Sequence, residues 1–516
     1  ISSTTNTMAA DAESTEVSEL EAALSARDKV RVVAALTTLA GLETESDCER
    51  CMAEGAGTAV RDALAGFVDD AEVARAGCRA LANLATADNA AEVSLVAAGA
   101  HVAVMAVMRA HAGDVEGARA ACGTLLNLSA VDGNTVPLVR GGAHIAVMAA
   151  ARDHSGDVEM ARAACGALQY LSAAADNRVP LVHDSAHTAA MTAARTHRSD
   201  ERVARAMCGV VRNLARADDN RVPLVRDGAH LELISAARAH GGDAVVAQAL
   251  CFTLLILALA DDNCVPLVRD GTHTAAMVAA RTRSGDVTVV RTACAALQRL
   301  ACAEANAVPL VRDGAHTAIM AAAWDHSGEI KEVQDMCYAL WSLSGHYDNT
   351  APLVRDGALV AMMAAAQAYS GDLEVVRAVC STLRNLALAP CNAVPLVRGG
   401  AHVTVMAAVR DFSHNSILMT RAACSALRYL SFAADNAVPL VRDRAHVVVM
   451  AAVQATIGDA RVVRSACGVL LNLSRSTAAE CRAALVRDGV GEFLRVVCER
   501  HPADATVQDY CRRVAL

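Results

Sequence analysis

Aromatic residues are scarce in this sequence, 3% of its 516 positions. That scarcity removes the stacking platforms on which single-strand nucleic-acid binders lay bases. Lysine is rarer still, with Lys29 and Lys331 the two in the chain, so positive charge resides on arginine, a side chain suited to bidentate contacts with carboxylates. A formal net charge of -9 is the opposite of a nucleic-acid binder's basic excess, and any basic surface must be local. No uninterrupted apolar run approaches the roughly 18 residues a bilayer span requires, and no secretory signal pattern opens the chain. A cytoplasmic or nuclear protein without a membrane span is expected. The chain opens at Ile1 rather than Met, which leaves a lipidation or targeting motif upstream an open question. Motifs of chemistry are missing as well. The sequence holds no G-x-S-x-G, no G-x-x-x-x-G-K and no H-E-x-x-H, so nucleophilic, phosphate-cradling and metal-hydrolase readings have no anchor. No enzymatic activity and no cofactor are expected.

What the sequence has in abundance is small apolar side chains and repetition. Apolar residues make up 54% of the chain, ample for a core of small side chains. Cysteines recur at Cys78, Cys122, Cys165, Cys208, Cys251, Cys294, Cys337, Cys380, Cys424, Cys467 and Cys511, always 43 or 44 residues apart. Prolines at Pro137, Pro180, Pro223, Pro266, Pro309, Pro352, Pro395 and Pro439 keep the same period inside V-P-L-V or A-P-L-V tetrads. Three residues ahead of each proline runs an asparagine: Asn134, Asn177, Asn220, Asn263, Asn306, Asn349, Asn392 and Asn436. Eighteen cysteines in so long and core-rich a chain indicate a reducing compartment rather than a disulfide framework. Equivalent positions on neighbouring helices lie about 8–10 Å apart, beyond the roughly 7 Å reach of a disulfide, so the ladder is read as small buried hydrophobes.

Within one unit, Asn177 to Arg216 for example, the asparagine is read as an N-cap and the proline as a first-turn residue whose missing N–H does no harm. This first helix stops at an R-D-G-A-H corner, where glycine supplies a left-handed conformation. Ser185 and Arg444 replace that glycine. A left-handed Arg444 costs about 1–2 kcal/mol, so a reshaped corner is expected there. The second helix is rich in alanine and methionine and ends at a polar S-G-D or G-G-D loop. The third is longest: Val290, Ala293, Cys294, Leu297 and Leu300 recur at three- and four-residue steps and define one buried face. Three helices per 43 residues make a solenoid unit.

A-C-G-x-L-x-N-L followed by N-x-V-P-L-V-R-D-G-A resembles the armadillo repeat family, over roughly residues 17–516 in about twelve units. The repeats are drawn at 17–43 (partial), 44–86, 87–130, 131–173, 174–216, 217–259, 260–302, 303–345, 346–388, 389–432, 433–475 and 476–516, with polar residues 1–16 as a disordered tail. The resemblance implies an all-α, right-handed α-solenoid superhelix. Its third helices would line a concave groove that binds an extended peptide or a protein partner. The family's groove asparagine corresponds to Asn83, Asn127, Asn213, Asn385 and Asn472, and gives way elsewhere to Tyr170, Ile256, Arg299, Ser342 and Tyr429. The tryptophan that importin-alpha proteins carry four residues earlier is absent, which counts against a nuclear transport adaptor. A regulatory repeat region of a larger protein is the other alternative.

A second groove candidate is an arginine row three residues before the ladder cysteine: Arg75, Arg119, Arg162, Arg205, Arg291, Arg377, Arg421 and Arg464, with Gln248, Gln334 and Gln508 in the gaps. Helical spacing aligns the row with the asparagines, so an acidic or phosphorylated partner segment is expected in the groove. The competing reading for both rows is structural bracing between repeats. Histidines just after the corner (His101, His144, His187, His230, His273, His316, His402 and His446) are expected neutral and structural, because a cation at a helix N-terminus is disfavoured. A second set, His111, His154, His240 and His326, is expected in solvated loops. Cys48 and Cys51 form a lone C-x-x-C without the second pair that a zinc site needs. No metal site is expected.

Overall fold

The computed structural model describes residues 15–325 and 330–514. They form 35 α-helices and three short 3-10 turns, with no strand among them. The chain divides into two units, residues 1–257 and 258–516. Each is a stack of helical repeats. In the first unit the third helices Lys29–Ala40, Ala71–Leu84, Val115–Leu128, Val158–Leu171, Glu201–Leu214 and Ala244–Leu257 pack in succession, each against the next. The second unit repeats the pattern from Val287–Ala301 to Ala505–Arg513, and in both units the second helices form a parallel layer of their own.

Of the expected tail, residues 1–14 lie outside the described residues; Thr15 caps the helix Glu16–Ala26 by accepting a hydrogen bond from the Ser18 amide. The third helices carry the core. In Glu201–Leu214, Val203, Met207, Cys208, Val210, Val211 and Leu214 are fully buried, an apolar face broad enough to meet both neighbouring helices and the two helices of its own repeat. The ladder cysteines Cys78, Cys122, Cys165, Cys208, Cys251, Cys337, Cys380, Cys424 and Cys467 are buried and in no disulfide. Burial pushes thiols such as Cys165 and Cys380 up to about 12. Cys294 and Cys511 are half-buried.

The asparagine before each proline does not cap with its side chain: Asn220, Asn349 and Asn436 occupy the cap position of a short helix but make no side-chain cap bond. The helix Ala175–His183 has Ala174 at its cap position with no side-chain cap bond, and Asn177 lies in its first turn. A cap must accept a hydrogen bond from the backbone, whereas this asparagine donates. Asn177 Nδ2 gives hydrogen bonds to Leu171 O (2.9 Å), at the end of the preceding third helix, and to Thr135 O (3.0 Å), in the previous repeat. Asn306, Asn349 and Asn436 do the same. A buried amide thus serves the carbonyl left open at the end of a third helix, which would otherwise cost about 1–3 kcal/mol, and ties it to the previous repeat.

The corners are uniform. Gly99, Gly142 and Gly228 have φ of 80°, 86° and 82°, and Ser185 and Arg444 keep the same left-handed backbone at 66° and 67°. The corner at Arg444 is therefore not reshaped; the surrounding packing imposes the conformation against the side chain's preference.

Candidate partner-binding face

The sequence placed two rows on the third helices, and their polar atoms are directed largely at neighbouring repeats. Asn83 Nδ2 donates to Leu39 O (3.1 Å) and Leu42 O (3.0 Å), and Asn127 Nδ2 to Ala82 O (2.9 Å). Asn213 donates to Gln169 O (3.1 Å) and Ser172 Oγ (3.3 Å), Asn385 to Ser344 Oγ (3.1 Å), and Asn472 to Ser431 Oγ (2.9 Å). Each amide thus meets the C-terminal turn of the previous third helix or the residues just beyond it, which leaves carbonyls unsatisfied.

Six arginines of the row meet the aspartate at the N-cap position of the next repeat's third helix. Arg75 Nε bonds Asp114 (2.6 Å), Arg162 Nε bonds Asp200 (3.1 Å), Arg205 Nε bonds Asp243 (2.6 Å), Arg421 Nε bonds Asp459 (3.0 Å) and Arg464 Nε bonds Asp504 (2.8 Å). Arg119 holds Asp157 in the same way (3.0 Å). The carboxylates also cap: Asp200 Oδ1 accepts from Val203 N (3.0 Å), and Asp243 Oδ1 from Val246 N (2.8 Å). The Arg162 guanidinium holds the Asp200 carboxyl below the usual range against the opposing effect of burial, and Asp243 is lowered to about 2. The bracing that the sequence allowed as an alternative is what these guanidiniums do. Arg291 reaches Glu332 at 3.8 Å. Arg377 is the exception, because the next repeat is lengthened to 44 residues and caps its third helix with Ser416. It bonds Tyr338 Oη (3.2 Å) and Glu374 (2.5 Å) and stacks over Trp341, 5.7 Å from the ring centre.

The histidine row forms a ladder at the corners. His144 Nε2 lies 3.0 Å from Asp184, His187 3.1 Å from Asp227, His273 3.0 Å from Asp313 and His316 3.1 Å from Asp356. His402 with Asp443 and His446 with Asp488 complete it at 2.8 Å each. These imidazoles are buried, with Nδ1 unpartnered. Two sites break the pattern. His101 faces Gly141, and burial lowers its pKa; Leu359 replaces histidine where Gly399 replaces aspartate. A cleft of about 710 Å3 opens at that second break, lined by Leu359, Met363, Gly399, Val403 and Phe412 between neighbouring second helices. The loop histidines are less solvated than expected: His111 Nε2 bonds Val68 O (2.8 Å) and His240 Nε2 bonds Arg198 O (3.0 Å), one repeat back. His154 Nε2 is buried without a partner, and His326 lies outside the described residues. Cys48 and Cys51 point into the core, and no group of three potential metal ligands occurs among the described residues.

Six arginines of the row are paired with aspartates yet stay partly exposed, and they share the third-helix face with aromatic side chains. The importin tryptophan position is glycine where a side chain from the previous repeat lies across it: a Cβ on Gly209 would sit 2.7 Å from Gln169, and one on Gly468 3.0 Å from Arg428. The arginine–aromatic pairs all belong to this layer. Arg216 lies over Phe252 at 5.6 Å, and Arg428 approaches Phe432 and Tyr510 at 6.0 and 5.6 Å. Tyr170 is 44% exposed on the same layer. The available signal was that this aromatic-poor chain puts several of its few rings at third-helix positions.

No single helix among the described residues is long and apolar enough to cross a membrane. No protein-family model matches the sequence, and no curated protein is detectably related to it in sequence. Solved structures do match the fold. A chain from a study entitled "A conserved phosphorylation switch controls the interaction between cadherin and beta-catenin in vitro and in vivo" superposes with a TM-score of 0.68 at 15% identity, covering 96% of this chain and 97% of that one. An engineered protein from a structural genomics consortium superposes with a TM-score of 0.61 at 19% identity, covering 81% of this chain and 99% of its own. The chain is similar to both as an all-α repeat solenoid.

Proposed function

We propose that this chain is a non-enzymatic armadillo-type scaffold that binds an extended acidic or phosphorylated segment of a partner protein on its third-helix face. The observation that carries the reading is the placement of arginine–aromatic pairs on the third-helix layer of each unit, in a chain with few aromatics. Tyrosine, tryptophan and arginine are the side chains that dominate binding energy at protein interfaces. The likeness in fold to a chain from the cadherin and beta-catenin study agrees with a protein-interaction role. The free thiols fit a reducing cytoplasm or nucleus.

The test is selection of peptides from a displayed random library on the folded chain, followed by fluorescence anisotropy. Replacing Tyr338 and Trp341 together by alanine is expected to weaken the selected peptides at least tenfold. Replacing Val360 and Val403 by serine, on the second helices, is expected to leave them within twofold. The opposite pattern would refute the assignment of the face.

A further inference from the structure

Near the C-terminal end of the first unit, three arginines depart from the rule that the row arginines obey. Arg178 lies in the first turn of the helix Ala175–His183; Arg212 lies in the last turn of the helix Glu201–Leu214 and Arg216 in the turn just beyond it. Asn220 Nδ2 ties the two backbones together, donating to Arg178 O (2.9 Å) and to Leu214 O (2.9 Å). Arg212 and Arg216 are one helical turn apart, a spacing that brings like charges onto one side and costs stability. Among the described residues no carboxylate pairs with any of the three. Arg178 gives one hydrogen bond, to Ala173 O (2.8 Å), and the Nε atoms of Arg178 and Arg212 are buried with no acceptor. Of the acids in the same turns, Asp218 is held by Arg221 (2.6 Å). Arg216 lies over the Phe252 ring.

Three of these features are unfavourable to the unliganded protein. A cation in the first turn of a helix opposes the helix dipole. A buried N–H without an acceptor forfeits its desolvation energy. Burial, and after it the proximity of Arg216, lowers the pKa of the Arg178 guanidinium. A single anion within reach of these side chains would offset the repulsion between Arg178 and Arg216 and the unfavourable placement of Arg178 in a first turn. A phosphomonoester suits the arrangement better than a carboxylate, since its three acceptor oxygens and charge near -2 can engage more than one fork at once.

We infer that Arg178, Arg212 and Arg216 form an anion site for a phosphorylated side chain of the partner segment. The inference rests on the reading of the third-helix face given above and locates its anionic anchor there, in place of the arginine row that the aspartates occupy. Phe252 would pack beside the phosphoresidue while holding Arg216.

The test uses the full chain and fluorescein-labelled nine-residue peptide pools with a central phosphoserine, the same pools with serine, inorganic phosphate, and a single-stranded oligonucleotide. The variant is Arg178→Gln with Arg212→Gln and Arg216→Gln; the control is Arg140→Gln, an exposed arginine outside the cluster. The phosphoserine pool is expected to bind at least tenfold more tightly than the serine pool, and the triple variant to lose that preference while the control keeps it. The triple variant is also expected to melt at or above the parent's temperature, because mutual repulsion is removed. Equal binding of both pools, or a preference that survives the triple substitution, overturns the site while leaving the aromatic-face test of the scaffold reading intact. Tighter binding of the oligonucleotide than of the phosphoserine pool overturns the peptide as ligand. Protection by inorganic phosphate alone, with no peptide preference, overturns it in favour of a free-ion site. A triple variant that melts well below the parent assigns the arginines to structure.

Discussion

Asp200 holds two loads, and separating them tests the bracing of one repeat by the next. Its Oδ1 caps the helix Glu201–Leu214 through the Val203 amide, and its Oδ2 receives Arg162 from the previous repeat. The carboxylate is 13% exposed and the guanidinium 31%. Loss of a cap costs about 1 kcal/mol. The inter-repeat pair, on a guanidinium partly open to solvent, adds about 0.5–1 kcal/mol. Asp200→Ala is therefore expected to destabilise by about 2 kcal/mol. Arg162→Ala leaves the cap in place and should cost about half of that. Asp200→Asn keeps an acceptor for Val203 and should resemble Arg162→Ala, and the double variant should show coupling of about 0.5–1 kcal/mol. Because stability in a repeat array is local, native-state hydrogen exchange at amides 203–207 is the assay, with urea unfolding as a global check. A coupling energy near zero, or an Arg162→Ala variant as stable as the parent, would refute the claim that the row braces the stack.

Three further outcomes follow from named contacts. Arg444→Gly and Ser185→Gly should each raise stability by about 0.5–1 kcal/mol in thermal melts, since each relieves a left-handed side-chain residue; a loss would mean that the side chains hold the corners. Gly399→Asp alone should destabilise, because a Cβ there would lie 2.6 Å from Leu359 Cδ2, whereas the pair Leu359→His and Gly399→Asp should recover stability by restoring a ladder rung; recovery absent from the double variant would contradict the ladder. The rung aspartates Asp184, Asp227, Asp313 and Asp443 are held low by neighbouring histidine and arginine side chains, and Asp356 sits at about 2. A depressed folded pKa contributes stability that is complete above the unfolded value near 3.9 and is lost as pH falls through the folded value. Acid unfolding should therefore gather between about pH 4 and 2, and circular dichroism showing those helices lost in full above pH 5 would contradict this source of stability.

The fold was legible because each helix repeats its chemistry every 43 or 44 residues, and periodicity in one repeat is tested by the next. The polar rows were legible in position but not in direction. Helical spacing puts Arg162 in line with the groove register, yet whether it faces a ligand depends on Asp200, 38 residues away, whose own role as a cap is local and gave no hint of a second bond. The same limit explains the asparagine before each proline: its residue type suits a cap, but burial at Asn177 and two carbonyls within reach make it a donor. The histidine ladder could have been read further at one of its two breaks, because Leu359 and Gly399 change together, whereas His101 stays where Gly141 replaces the aspartate. The cluster of Arg178, Arg212 and Arg216 could not, since it joins two helices through Asn220.

The central claim is that partners engage the third-helix face, and site-specific photo-crosslinking tests it most directly. A photoreactive phenylalanine analogue placed singly at Tyr170 and Tyr429, on third helices, and at Val360 and Val403, on second helices, is irradiated with the tightest library-selected peptide bound. A crosslink at Tyr170 or at Tyr429 with none at Val360 and Val403 is the predicted result; crosslinks confined to Val360 and Val403 would contradict binding on the third helices.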